Sequence, residues 1–406
     1  MQAIETDVSI VMPCLNEAQT VAECVARARE ALAVLAERHG LAGEVLVADN
    51  GSSDGSREIA ESAGARVVAV SERGYGAALI GGFRAARGRF LVMGDCDCSY
   101  DFLEAVAMVE RLVEGADLCM GSRFSGEIRP GAMPWKNRHI GNPVLSSTLR
   151  LLFDSKVGDA HCGLRALTAD CFARLHLSAT GMEFASEMVI KAALRGVRID
   201  EVPVTLHPDK RGRPPHLRPW RDGWRHLRYM LMLSPIWLFF LPAAALALPA
   251  MVVLAALLAG DGRAMVELGP FLIGNHWLVV ASAMLILANQ VMIFGAAATV
   301  YGIAEGYRRP GRLLGWLVRA SRLEFWLIAG TALGAAGGIW AGIIVSGWAV
   351  SGFGALSALR DLTAAMMLLV IGAQVFFGGF LLSIIAGNRA RLEPAILPEP
   401  GQAARE

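Results

Sequence analysis

Up to about Met230, short apolar runs alternate with amphipathic stretches. Val8–Met12, Glu44–Ala48, Ala65–Val70 and Arg89–Met93 have strand length. Between the first two, Val21, Cys24, Val25, Ala28, Leu32 and Leu35 recur at helical spacing to about Arg38. A short helix around Ile59–Ala63 and one from Gly74 to Arg87 separate the others. Strand and helix repeated three times, then a fourth strand, predict a parallel, doubly wound sheet. Asn16 is the expected cap of the first helix, with Gln19 at capping-box spacing. Beyond the fourth strand the pattern predicts a helix over Asp101–Leu112 and a strand over Asp117–Ser122. A loop rich in Gly, Pro and charge over 125–136 would cover the strand ends. A helix from about Asn137 to Phe153, a polar segment Asp159–Arg165, a helix Met182–Arg195 and a last strand Val197–Leu206 complete this half.

The second half has a different texture. Four nearly uncharged stretches, about 231–259, 271–300, 325–350 and 362–386, are each long enough to cross ~30 Å of hydrocarbon at ~1.5 Å per residue. Mean hydropathy of +0.44 with only 18% charged residues agrees, because the excess lies after Met230. The expected plan is a catalytic domain over 1–206, a basic linker and helix over 207–230, a transmembrane domain over 231–389 and a tail over 390–406. In the linker helix Trp220, Trp224 and Leu227 form one stripe, and Arg218, Arg221, Arg225 and Arg228 can reach headgroups from it. An ordinary surface helix with a docked aromatic stripe is the competing reading.

Arginines 308, 309, 312, 319 and 322 fill the connector between the second and third spans, and Arg389 and Arg391 open the tail. The positive-inside rule then puts the connector, the tail and the N-terminal domain in the cytoplasm, at the inner membrane. Asn289, Gln290 and Gln374 read as helix–helix contacts, and Gly330–Gly342 as a close-packing run; homo-oligomerisation through the spans stays open. No carboxylate lies within the spans, which argues against a transporter or flippase carrying a nucleotide-binding regulatory domain. With a net charge of +1 and basic clusters beside apolar segments, lipid headgroups are the expected partner and nucleic acid is not. The seven cysteines, none in a C-x-x-C pair, suit free thiols in a reducing compartment.

Two carboxylates, Asp95 and Asp97, end the fourth strand. With an extended backbone they face one side. In an open α/β sheet the carboxyl ends of the strands are where ligands bind. Hard oxygen ligands there suit Mg2+ or Mn2+ shared with substrate phosphates.

Six short motifs occur in order: Pro13-x-x-Asn-Glu17, Asp49-x-Gly-Ser-x-Asp-Gly55, Gly74-x-Gly-x-Ala78, Asp95-x-Asp97, Gly121-Ser-Arg123 and Asp159-x-x-Cys-Gly-x-Arg165. In these the chain resembles, over about residues 8–230, an inverting family-2 glycosyltransferase of GT-A fold, in the branch that includes dolichyl- and polyprenyl-phosphate sugar synthases. The resemblance implies an α/β GT-A domain, Rossmann-like, of the nucleotide-diphospho-sugar transferase type, followed by an α-helical transmembrane domain. It implies that Pro13, Asn16, Glu17, Asp49, Ser52 and Asp95 line the nucleotide sugar. Asp97, with Asp95, would hold Mg2+ or Mn2+ against the diphosphate. Arg123 and Arg165 would meet the acceptor phosphate, and Lys210, Arg211 and Arg213 would grip that phosphate, the leaving diphosphate or lipid headgroups. Glu183 and Glu187 would orient the arginines or pair within the fold.

The implied reaction moves a hexose from UDP-glucose, another UDP-hexose or GDP-mannose to polyprenyl (undecaprenyl) phosphate, by in-line attack and with inversion. A lipid phosphate is already ionised and needs no strong base. A glycolipid synthase acting on a lipid hydroxyl would need one, and Asp159 and Glu183 are the candidates. Asn50 beside Asp49, and Cys96 and Cys98 around Asp97, depart from the family pattern, the thiols reading as packing residues. The linker also departs from the mannosyl branch, which leaves the donor open.

Overall fold

The computed structural model describes residues 6–212, 219–259, 265–304, 323–356 and 358–386. The chain separates into two units, Met1–Ser234 and Pro235–Glu406.

The first unit is built on a seven-stranded sheet. Its strands are β1 (Val8–Cys14), β2 (Gly43–Asp49), β3 (Arg66–Ala69), β4 (Phe90–Met93), β5 (Leu118–Ile128), β6 (Arg165–Thr168) and β7 (Ile199–Leu206). They lie in the order β3-β2-β1-β4-β6-β5-β7. The first four pair in parallel, as the strand–helix alternation predicts. Along β1 the side chains alternate between two cores. Ile10 and Met12 enter one, under α1 (Val21–His39) and α4 (Ala105–Val113), and Val11 enters the other, under α3 (Tyr75–Ala85). Burial on both faces is why β1 reads as an apolar run broken only by the buried Ser9, whose hydroxyl donates to Glu44 Oε1.

Several expectations are corrected. β6 is antiparallel to both neighbours and wedges between β4 and β5, so the sheet is mixed. It has four residues, too few to show a period, and lies where a polar segment ends. The predicted loop over 125–136 is in part strand, because β5 continues past a bulge and pairs Glu127 with Thr205 and Ile128 with Leu206. Asn16 does not cap α1. It takes a left-handed φ of 58°, its Oδ1 accepts from Ser53 N at 2.9 Å, and the helix starts only after Thr20. A short helix α2 (Ser56–Ser62) follows the Asp49–Gly55 turn. Past β5 come α5 (Asn142–Phe153), α6 (Ala169–Leu175), which the pattern did not predict, and α7 (Phe184–Arg195).

The linker helix α8 runs Pro219–Met232. Its His226 and Met230 are buried, Met230 in the α3–α7 core, while Trp224 is 60% exposed. The docked face is therefore not centred on Trp224. The side chain of Trp220, and Arg213 and Arg218, lie outside the described residues.

In the second unit, taken by itself, four helices among the described residues are long and apolar enough to span a membrane: Ile236–Leu257, Asn275–Ala304, Leu323–Val350 and Leu359–Ile385. The second begins later than its apolar run, because Phe271–Gly274 forms a hairpin strand with Met265–Leu268. Gly330–Gly342 does pack closely: a Cβ on Gly372 would come within 2.3 Å of Gly334 N, and one on Gly337 within 2.5 Å of Leu369 N. Asn289 Nδ2 donates to Gln374 Oε1 at 2.9 Å, the helix–helix contact expected of both. The basic connector over 305–322 and the tail from 387 lie outside the described residues.

Candidate functional site

The carboxyl ends of β1, β2 and β4 meet at one edge of the sheet, and the polar residues cluster there. After β4, Asp97 is 3% exposed. Its Oδ1 accepts from Ser99 N at 2.9 Å, and its Oδ2 holds the Arg211 guanidinium. Arg211 Nη1 also lies 3.5 Å from Glu17 Oε1, and Nη2 lies 3.8 Å from Asp209 Oδ2. The chain leaving β7 thus runs over the Asp97 turn, fixed by His207 N on Ser99 O at 2.9 Å and Lys210 N on Asp97 O at 3.1 Å. Lys210 itself turns outward to Glu23, 2.5 Å away.

Asp95 is half-buried and accepts from Tyr75 Oη at 3.0 Å. Burial, and then the charge of Asp97, raise its pKa to about 6; the Tyr75 hydrogen bond, Arg211 and Arg123 pull the other way. Its other side faces Gly163, where a Cβ would stand 2.6 Å from Asp95 Oδ2, so only glycine admits this approach. Tyr75 reaches Asp95 from the first turn of α3. That turn is tight: Gly74 has φ 139°, and a Cβ there would meet Thr180 O at 2.1 Å.

The residues expected to line the nucleotide sugar form a framework of turns. Asp49 is fully buried, and its oxygens accept from Gly51 N at 3.0 Å, Ser52 N at 3.1 Å and Arg57 Nε at 2.6 Å. It shapes the turn and, in this arrangement, presents no edge to a base. Ser52 Oγ accepts from Asn16 N at 2.8 Å, and Ser56 Oγ from Glu17 N at 2.8 Å, which ties the Pro13–Glu17 segment to the Asp49–Gly55 segment. Asn50, the departure from the family pattern, joins the loop before α3 to this turn: Nδ2 donates to Glu72 O at 2.6 Å and Oδ1 accepts from Gly74 N at 2.8 Å.

On the other flank Arg123 is 8% exposed and gripped by Asp159, Nε to Oδ2 and Nη2 to Oδ1, both at 2.7 Å. Arg165 is fully buried, and its guanidinium donates to Cys162 O, Ala185 O and Ala160 O at 2.8–2.9 Å. As placed, Arg165 braces its own loop and adds a buried positive charge; it does not present a fork to a ligand. Glu187 pairs within the fold, with Lys191 Nζ at 2.7 Å. Glu183 bonds neither arginine, and its Oε2 is buried with no hydrogen-bond partner among the described residues. Arg213 falls outside them.

All seven cysteines are free. Cys96 is buried, as its packing role requires, but Cys98 is half-buried with φ 63°, its Sγ 3.6 Å from Cys24 Sγ. Hydrogen bonds from the Cys96 and then the Cys98 thiol pull the Cys24 pKa down. Sequence reasoning missed Tyr75, Gly163 and the Cys24–Cys98 pair. Tyr75 was visible as the middle residue of Gly74-x-Gly76; Cys24 carried no signal beyond helical periodicity.

Among the described residues no group of three or more His, Cys, Asp or Glu side chains is arranged to hold a metal by itself. Asp95 and Asp97 fit the other kind of site, in which one or two carboxylates share Mg2+ or Mn2+ with phosphate and water.

A strand-end carboxylate pair on a doubly wound sheet, followed in sequence by a second unit with four apolar helices among the described residues, is the layout of a membrane-attached glycosyltransferase of GT-A fold. The family model for glycosyl transferase family 2 matches residues 9–175, and that for the glycosyltransferase family 2 C-terminal transmembrane region matches 296–386. A low-salt glycan biosynthesis hexosyltransferase of Haloferax volcanii is 38% identical over 382 residues, 93% of this chain and 89% of the relative. A dolichyl-phosphate hexose transferase of the same organism is 30% identical over 49% of this chain and 82% of its own. Glucosyl-3-phosphoglycerate synthase from Mycobacterium tuberculosis, solved with Mn2+ and UDP, aligns over 56% of this chain and 78% of its own at 23% identity and a TM-score of 0.42. The chain belongs to glycosyltransferase family 2 and is an integral membrane glycosyltransferase.

Proposed function

We propose that the protein transfers a hexose from a nucleotide sugar to polyprenyl phosphate at the cytoplasmic face of the membrane. The observation that carries this reading is the course of the chain after β7. It lies on the Asp97 turn through Lys210 N and Arg211, and within the same unit leads into α8, which ends at Met232; the first candidate span starts at Ile236. In this reading the segment that leads toward the lipid touches Asp97, one of the two carboxylates assigned to the donor. The dolichyl-phosphate hexose transferase among the relatives supports the acceptor class, and the arginine-rich connector supports the cytoplasmic side.

In this reading Asp97 and Asp95 hold a divalent cation. When bound, that cation neutralises charge building on the leaving diphosphate. Glu17, Asn16, Pro13 and Ser52 frame the nucleotide, Asp49 sets the turn they stand on, and Arg211 moves from Asp97 to the diphosphate; Lys210, now on Glu23, would have to swing inward to join it, and Arg213 lies outside the described residues. Arg123 and Arg165 keep a positive potential where the acceptor phosphate approaches. The acceptor oxygen is anionic, attacks the anomeric carbon in line and displaces the nucleoside diphosphate, with inversion and no general base.

A lipid-hydroxyl acceptor fits less well. Asp159, one candidate base, has its carboxylate committed to Arg123 and to two backbone N–H groups. Glu183 is the remaining candidate. The deciding experiment is an assay of purified protein with labelled UDP- and GDP-sugars, offered undecaprenyl phosphate or a diacylglycerol in detergent, with products identified by mass. Transfer to the diacylglycerol alone would refute the phosphate acceptor.

A further inference from the structure

Two histidines and a serine join the candidate site to the helix that leads into the first span. His226 on α8 is 4% exposed, and its Nδ1 lies 2.7 Å from Ser186 Oγ on α7. The same hydroxyl is 3.3 Å from His161 Nε2. The imidazoles meet edge to face, centroids 4.9 Å apart. His161 stands two residues after Asp159, which grips Arg123, and two before Gly163, which backs Asp95. Its Nδ1 is buried with no hydrogen-bond partner among the described residues.

A hydroxyl has one proton, so Ser186 donates to one imidazole while it accepts from the other. The three side chains form one directed chain rather than two separate contacts. Burial, then His226, Arg123 and Arg165, hold the His161 pKa well below its usual value, so the ring is neutral and bridges rather than pairs. Apolar residues of the same shape would fill this space at lower desolvation cost. Polar groups here therefore suit a directional constraint. Its far end is on α8, whose outward face carries Trp224 and exposed arginines, and whose last residue is close in sequence to the hydrocarbon boundary.

Resting on the acceptor reading above, we propose that His226, Ser186 and His161 are positioning residues that set the Asp159–Arg165 loop, and with it the Arg123 guanidinium, according to how α8 is seated on the lipid surface. The link bears mainly on the acceptor side, because Asp97, Glu17 and Arg211 are held by other contacts and Asp95, which touches this loop at Gly163, is held independently by Tyr75.

The test uses the full-length protein in nanodiscs containing anionic phospholipid, with undecaprenyl phosphate and the donor that the wild type accepts. Ser186→Ala, which removes one oxygen, and His226→Phe, which keeps a ring, should each raise the acceptor KM about fivefold to tenfold. The donor KM and acceptor-free donor hydrolysis should stay within about twofold. His226→Asn, which returns a polar atom near the Nδ1 position, should recover most of the loss. The double variant Ser186→Ala/His226→Phe should be no worse than the weaker single one, since both cut the same chain. Equal shifts in donor and acceptor KM, an unchanged acceptor KM, or losses that multiply in the double variant would overturn the proposal. If thermal unfolding shows that His226→Phe does not fold, Ser186→Ala decides alone. If the wild type glycosylates only a lipid hydroxyl, the phosphate reading fails; the same variants against that acceptor still decide the link by the same KM split.

Discussion

Arg211→Ala should separate cation binding from turnover. The Arg211 side chain is 17% exposed and bonded to buried Asp97, with Glu17 and Asp209 nearby. A charge-assisted hydrogen bond of this kind contributes roughly 1.5–3 kcal/mol. A cation arriving at Asp97 must displace the guanidinium, so that amount opposes its binding. Removing the side chain should therefore tighten Mn2+ binding to the nucleotide-free protein by about tenfold to a hundredfold, at ~1.4 kcal/mol per decade. Turnover should move the other way, falling about tenfold or more, because the diphosphate loses its fork. Arg211 also helps hold down the pKa of Asp95, so its loss pushes that carboxyl toward protonation. The comparison belongs near pH 8, well above the Asp95 value of about 6. Electron paramagnetic resonance of free Mn2+ gives the affinity, and a radiolabelled-sugar assay gives kcat. Arg211→Lys, a weaker and single-pointed donor, should fall between. Mn2+ binding in Arg211→Ala that is unchanged or weaker would refute the competition at Asp97.

Further outcomes follow from the same geometry. Asp97→Asn should lower kcat by roughly a hundredfold or more in a protein that still folds, its unfolding midpoint lowered only by the weakened Arg211 contact; near-wild-type turnover would remove Asp97 from the cation site. Mn2+ affinity should fall as pH drops through about 6, where Asp95 takes up a proton that competes with the cation, and level off above about pH 7. Because that folded-state pKa is raised, the metal-free protein gains stability from this group as pH falls through the same window; an Mn2+ titration flat from pH 5 to 8 would contradict the assignment. Asp159→Asn leaves Arg123 charged and buried without its partner, at a cost of about 3–5 kcal/mol, so the unfolding midpoint should drop by roughly 10 °C; calorimetry that finds no drop would deny Asp159 its structural role. Diamide should join Cys24 to Cys98, whose sulfurs are 3.6 Å apart, and pin the Asp97 turn to α1. Peptide mass should show loss of two hydrogens, and activity should return with dithiothreitol; full activity in the cross-linked protein would mean the turn need not move.

What the sequence shows best is whatever has a period. The strands of the first half are buried on both faces, so β1, β2 and β4 stand out as apolar runs, and the four spans stand out by length. β6 escaped because four residues show no alternation, and its antiparallel direction is set by tertiary pairing with β4 and β5. Among site residues, motif position located Asp95, Asp97 and Glu17 at one sheet edge, and Arg211 came only from the basic linker, but residue type overstated what each side chain does. Arginine in a motif suggests a fork aimed at phosphate, yet three carbonyls take up Arg165 and a carboxylate takes up Arg123. Spacing cannot distinguish the two uses, since a guanidinium satisfies backbone carbonyls and phosphate oxygens with the same donors. The distinction depends on burial, which two segments far apart in sequence impose together. Arg165 is enclosed by the loop that starts at Asp159 and by Ala185 on α7, and the first turn of α7 also carries the Ser186 that reaches His161. A motif read as a ligand set is, in this fold, a brace, with Asp95 against Gly163 on one side and Arg123 against Asp159 on the other.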